Sequence, residues 1–154
     1  MLTSRVPAAV AALLSILRAA PALDGVRIVD GPESTNATER DIVLVGWQPG
    51  ADAAVSLTQG FNAAGARTRD EEFEIACYAE SRRGDKDMAI PRARVFELVG
   101  AVEAALRATD AAPTAPTLNG TVLWAHLTTG NLQQVVVEGT VAGLAFTVSC
   151  RARI

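Results

Sequence analysis

The stretch "LAFTVSCRARI", residues 144–154, decides how the rest of the chain is read. Leu144, Phe146, Val148, Cys150, Ala152 and Ile154 alternate with Ala145, Thr147, Ser149, Arg151 and Arg153. Successive side chains of a strand point to opposite faces, so this is a strand with one apolar face and one polar to basic face. A sheet of such strands rests one side on a core and leaves the other to water. Its apolar side needs a cover.

Working outward, the same period recurs over residues 66–80. Phe73, Ile75, Cys77 and Ala79 share one face, opposite Glu72, Glu74 and Tyr78. Two segments carry the helical period instead, and they supply the cover. In residues 6–20, Val6, Val10, Leu13, Leu14 and Leu17 fall on one face. Thr3 or Ser4 is placed to cap that helix, Pro7 lies in its first turn, and Pro21 with Asp24-Gly25 stops it. In residues 87–109, Val95, Leu98, Val99, Val102 and Leu106 face inward, while Arg94, Glu97, Glu103 and Arg107 decorate the rest. Pro91 belongs to the first turn of that helix or marks its true start.

Shorter strands are expected at residues 26–30, 41–47 and 53–61, with a polar loop at 31–40 and a charged turn at 81–87. A Pro-containing linker spans 110–120. Residues 122–129 then lead through Gly130-Asn131 into 132–138, which reads as a hairpin ahead of the last strand. Helices and strands are mixed rather than strictly alternating. The expectation is an α+β fold, a mixed, mainly antiparallel sheet with two amphipathic helices packed on one face. Its 154 residues fit one domain, 1–154.

Composition narrows the function classes. With 49% hydrophobic and 20% charged residues the chain can bury a core, so global disorder is excluded. Only seven residues are aromatic, so that core is aliphatic. Fourteen basic residues against 17 acidic ones leave a net charge of −3. A nucleic-acid binder draws most of its affinity from phosphate neutralisation and needs a basic excess or stripe, which this chain lacks. Cys77 and Cys150 sit in apolar alternating stretches and read as buried, reduced thiols, with no zinc spacing around either. The N-terminal 22 residues imitate a secretory signal. Arg18 interrupts the apolar run before any cleavage site, and its spacing is that of a docked helix. The run is too short to span a bilayer.

Candidate chemistry is sparse. There is no P-loop, G-x-S-x-G elbow, H-E-x-x-H or Gly-rich dinucleotide fingerprint. The single histidine, His126, could pair with Cys77 or Cys150 as a nucleophile–base couple, or it is an ordinary strand histidine. Asp70, Glu72 and Glu74 would share one face of a strand, where a divalent cation or acid–base role is conceivable. Arg67 and Arg69 beside them favour a solvated face or a complementary patch for a neighbouring subunit.

The order of segments says more than any motif. An amphipathic opening, "SRVPAAVAALLSILRAAPAL", leads into "VRIVDGP", then "VLVGW", "GARTRDEEFEIAC" and the long helix "RARVFELVGAVEAALRA". The chain finishes with "GTVLWAHLTTGNLQQ" and the strand "FTVSCRARI". This arrangement resembles, over nearly the whole chain, the tail terminator (tail completion) proteins of long-tailed bacteriophages, especially those of actinobacterial hosts. The resemblance implies a structural virion protein rather than an enzyme, with no cofactor, metal or catalytic residue. It implies an α+β subunit of a homo-hexameric ring at the head–tail junction, assembled in the host cytoplasm. Such a ring caps the tail tube protein, ends tube polymerisation and presents a surface to the head-completion (stopper) protein of the neck. Genomic DNA passes its lumen without sequence-specific binding, and no membrane is involved.

A ring also requires two different lateral patches on each subunit. Arg67, Arg69, Asp70, Glu72 and Glu74 on one strand, and Arg151 with Arg153 on another, are the candidates for opposed patches. Another head–tail joining or minor tail protein would share this assembly chemistry. A small α+β enzyme using His126 and Cys77 would need a pocket of convergent polar groups.

Overall fold

The structure, a computed structural model, describes residues 2–32, 40–107 and 116–154. Most of the loop 31–40 and of the linker 110–120 therefore lies outside the described residues. The elements are α1 (Val6–Ala19), β1 (Arg27–Asp30), β2 (Asp41–Val45), β3 (Val55–Phe61), β4 (Arg69–Arg83), α2 (Ala89–Leu106), β5 (Trp124–Val136) and β6 (Thr140–Arg153). A 3-10 turn, Pro21–Leu23, follows α1.

Among the described residues six strands form one sheet, in the order β1-β2-β4-β6-β5, with β3 also on β4. Its axis is β4, a 15-residue strand that pairs along its whole length with β6, from Asp70↔Arg153 to Arg83↔Thr140. The opposite edge of β4 is shared. Residues 77–81 pair with β2 and residues 69–75 with β3, both antiparallel. Only β1 on β2 is parallel. The α+β fold read from the period-two and period-3.6 patterns is the fold observed.

Both helices lie on one face of this sheet. Leu13, Leu14 and Leu17 of α1 and Val95, Leu98 and Val102 of α2 pack on Val43, Val45, Phe73, Ile75, Cys77, Leu144, Phe146 and Val148. Each such side chain, fully buried, is worth roughly 1.5–3 kcal/mol against leaving it in water. Pro91, the third residue of α2, is buried there at no hydrogen-bonding cost, because the first-turn N–H groups of a helix have no intrahelical acceptor. Asp87 Oδ1 accepts the Ala89 N–H at 3.1 Å and so opens α2.

Two expectations are corrected. Residues 81–83 are not turn but the end of β4. Ser81 is buried, Arg82 donates to Glu80 at 2.9 Å, and Arg83 donates to Asp41 at 3.0 Å. Charged side chains that look solvent-seeking in sequence are held here by acids, Arg82 by Glu80 on its own strand and Arg83 by Asp41 across the sheet. The second correction concerns Gly130-Asn131, which is no turn. β5 runs straight through it, irregular only at a register shift between Leu127 and Thr129. The hairpin turns instead at residues 137–139, where Glu138 has φ +50° and Gly139 has φ +133°. Among the described residues two strands, not three, follow α2.

Candidate functional site

The helices leave the other face of the sheet uncovered except where Trp47 and a small buried cluster of Ile42, Leu44, Tyr78 and Ala145 lie on it, and the pleat and register decide what stands on the rest. Rows run across the strands: Thr58–Glu72–Arg151–Trp124, then Ser56–Glu74–Ser149–His126, with Gly60–Asp70–Arg153 at one end. Asp70, Glu72 and Glu74 do share a face, and Arg151 and Arg153 stand on it beside them.

Asp70 is the hub. Arg153 donates to it from Nε at 2.7 Å and from Nη2 at 3.3 Å, and Arg151 from Nη2 at 3.2 Å. The hydrogen bond from Arg153, joined by that from Arg151, holds the Asp70 carboxyl below the usual carboxylate range against a smaller opposing effect of desolvation. Glu72 stands 3.7 Å from Arg151, while Glu74 makes no ion pair among the described residues. The acidic and basic strands proposed as opposed lateral patches are thus neighbours that neutralise each other on one surface.

Arg69 turns to the helix side, where its Nη1 donates to Gln59 Oε1 at 3.0 Å. Gln59 Nε2 donates in turn to the Thr3 carbonyl at 2.8 Å and to Glu71. Glu71 is fully buried and accepts the Arg5 N–H at 2.8 Å. These contacts tie α1 to β3 and β4. Arg67 is exposed in the turn before β4 and stands apart from both groups. Sequence reasoning missed Glu71 and Gln59, although period-two parity already set Glu71 on the apolar side with Phe73.

His126 is exposed and stacks on Trp124, with ring centroids 4.6 Å apart and planes at 25°. Cys77 and Cys150 are buried on the helix side, and burial pushes both thiols up to about 12. The sheet therefore lies between the imidazole and either sulfur, and no His–Cys couple forms. An open depression of about 470 Å³ over the bare face is lined by Ser56, Thr58, Glu72, Glu74, Trp124 and His126. Among the described residues no group of three or more His, Cys, Asp and Glu side chains could hold a metal ion. The pleat sends Glu71 away from Asp70 and Glu72, and the arginines occupy Asp70.

The rims of the sheet differ from one another. On one side β1 is short and ends in charge, with Arg27 first and Asp30 last. β3, "VSLTQGF", and β5, "WAHLTTGNLQQVV", carry no Asp, Glu, Lys, Arg or Pro. Each is paired on one side only among the described residues, β3 with β4 and β5 with β6. Large apolar side chains are exposed on both, Leu57 and Phe61 on β3 and Leu132, Val135 and Val136 on β5.

No protein-family model and no curated protein matches this sequence. Among the described residues no helix is long and apolar enough to cross a membrane.

Proposed function

We propose that this chain is a tail terminator subunit, one copy of a homo-hexameric ring that caps the tail tube of a long-tailed phage. The ring ends tube polymerisation and offers its other rim to the head-completion protein of the neck. Its place is the head–tail junction of the virion.

The observation that carries this reading is the bare face of the sheet. Long strands with helices on one side only leave a polar surface on the other, on which Asp70, Glu72, Glu74 and Glu80 stand among Arg82, Arg151 and Arg153. Each of those three cations already has a carboxylate: Arg82 on Glu80, and Arg151 and Arg153 on Asp70. Turned toward a lumen, such a face offers phosphates little unpaired positive charge. DNA adhesion depends on cations free to replace condensed counterions, so the genome slides past rather than sticking. The helices then form the outside of the ring.

Electron microscopy of tails carrying a tag at the N-terminus of this chain tests the proposal. The expected result is label in one six-fold ring above the last tube ring. Label on the head side of that ring would make the chain a neck connector instead. Infectious particles that lack the tagged protein would overturn the structural role altogether.

A further inference from the structure

We propose that the outer edge of β5 in one copy pairs antiparallel with the outer edge of β3 in the next, so that neighbouring sheets join into one. The inference rests on the ring reading and names the contact that closes the ring.

An open edge strand presents a row of unpaired N–H and C=O groups, and natural proteins blunt such edges with charge, proline or brevity. β1 uses two of these devices, being four residues long with Arg27 and Asp30 at its ends. β5 uses none over 13 residues and β3 none over seven. Both also expose large apolar side chains, Phe61 at 69% and Val136 at 69%. Two unprotected edges on one subunit call for two occupied edges in its working state.

The occupant that satisfies both at once is a second copy. β3 and β5 lie on opposite sides of the β4–β6 pair, so each copy is donor on one side and acceptor on the other. That is the heterologous contact a closed ring requires. Strand sense agrees. β3 is antiparallel to β4, β4 to β6 and β6 to β5, so β3 and β5 run in opposite directions. Cyclic symmetry keeps every copy in the same sense about the ring axis, and β5 therefore meets the next β3 antiparallel, the slightly more stable ladder. A two-fold β5–β5 dimer would leave every β3 edge bare. Registers that differ by two residues keep the helices on one side of the joined sheet, and a slip of one residue would reverse them.

Disulfide trapping in assembled rings tests the pairing. Trp124→Cys or His126→Cys on β5 is combined with Ser56→Cys or Thr58→Cys on β3, all four being exposed positions on the bare face. The native Cys77 and Cys150 are buried and stay silent. Oxidation is expected to give a covalent ladder ending at the closed ring with at least one of these doubles. Single variants, and the control His126→Cys with Leu57→Cys on opposite faces, stay monomeric on a denaturing gel. A covalent dimer from His126→Cys alone would replace the proposal with a β5–β5 contact. Rings of normal appearance in which no double cross-links, and in which the amides of β3 and β5 gain no protection from hydrogen exchange, would overturn the pairing and leave the ring reading standing. Absence of any ring on tails would sink the ring reading itself. Should the doubles not assemble, hydrogen exchange on the unaltered protein decides. Amides of both β3 and β5 must gain protection on assembly, and no gain refutes the contact.

Discussion

The carboxylate of Glu71, in β4, accepts the backbone N–H of Arg5 at 2.8 Å, so a strand caps a helix that lies 66 residues away in sequence. α1 has no side-chain cap on its own N-cap residue and no acid in its first turn. Ser4 Oγ accepts the Val6 N–H at 3.0 Å, and Glu71 adds an acceptor for the Arg5 N–H together with the negative charge that the positive end of the helix dipole favours.

Replacing Glu71 by Ala leaves the Arg5 N–H and the Gln59 amide without this acceptor inside the protein. The expected cost is about 1–3 kcal/mol. At this chain length that lowers the melting temperature by roughly 2–4 °C per kcal/mol. Glu71→Gln retains an acceptor oxygen and is expected to lose less. Thermal unfolding of both variants checks the order, and an Ala variant as stable as the Gln variant would show the cap to be energetically idle.

Asp41 binds a second device together. Its carboxylate accepts Ser81 Oγ at 2.9 Å, Arg83 Nη1 at 3.0 Å and Arg94 Nε at 3.0 Å, joining β2, β4 and α2. Burial alone would raise its pKa, but the hydrogen bonds from Arg83, Arg94 and Ser81 outweigh it and leave the group below its ordinary value of 3.8. A depressed folded-state pKa gives stability that is present above the unfolded value and lost as pH falls through the folded one. Asp41→Asn is therefore expected to cost about 1.5–3 kcal/mol at neutral pH. The gap to the unaltered protein should close below about pH 4. Urea midpoints measured at neutral and acid pH report it, and a gap independent of pH would refute the ionic origin.

The parts of the fold that were legible are those buried on one side only. β4 and β6 alternate because helices cover one face of each, and Phe73, Ile75, Phe146 and Val148 show that period plainly. β5 borders the sheet and is exposed on both faces over most of its length, so its pattern carries no alternation and Gly130 looked like a turn. The bare face was half legible. Parity alone put Asp70, Glu72 and Glu74 together. The pairing of Asp70 and Glu72 with Arg151 and Arg153 depends on the β4–β6 register, which joins residues 81 and 83 positions apart at Asp70 and leaves no mark in either segment. Glu71 broke the apolar side of its strand for a reason visible only once α1 is docked.

Gly143 illustrates a constraint of the same kind. It lies on β6 opposite Glu80, and the ring of Tyr78 occupies the space a Cβ would take. Tyr78 in turn meets Trp47 edge-on at 5.7 Å and belongs to a small apolar cluster with Ile42, Leu44 and Ala145 on the otherwise polar face. Gly143→Ala must swing the ring out, at a cost typical of overpacking, about 1–3 kcal/mol. Tyr78 is the only tyrosine, and burial, with the nearby Glu80 charge, pushes its phenol up to about 12. In the variant the exposed phenol is expected to titrate nearer its ordinary value of about 10. Phenolate absorbance against pH reads the change directly.

The two cysteines give a prediction that bears on the ring as well. Cys77 faces the helices from β4 and Cys150 from β6, each 1% exposed, and burial pushes both thiols up to about 12. Only the thiolate attacks a disulfide reagent, and at pH 8 such a group is ionised to roughly one part in ten thousand. Native protein is therefore expected to react with an aromatic disulfide only as fast as the core opens, and unfolded protein to release both equivalents at once. A Cys that reacts fast in the free subunit but slowly in the ring would place it at the subunit boundary, against the core position assigned to it here. Cys150, unlike Cys77, makes no hydrogen bond among the described residues, so Cys150→Ala should be tolerated better than Cys150→Ser, because a hydroxyl without a partner in this apolar site costs about 1–3 kcal/mol more than the missing sulfur does. Equal stability of the two variants would mean that water reaches this side of the sheet, and the packing of both helices over β4 would have to be looser than the buried Phe73 and Phe146 require.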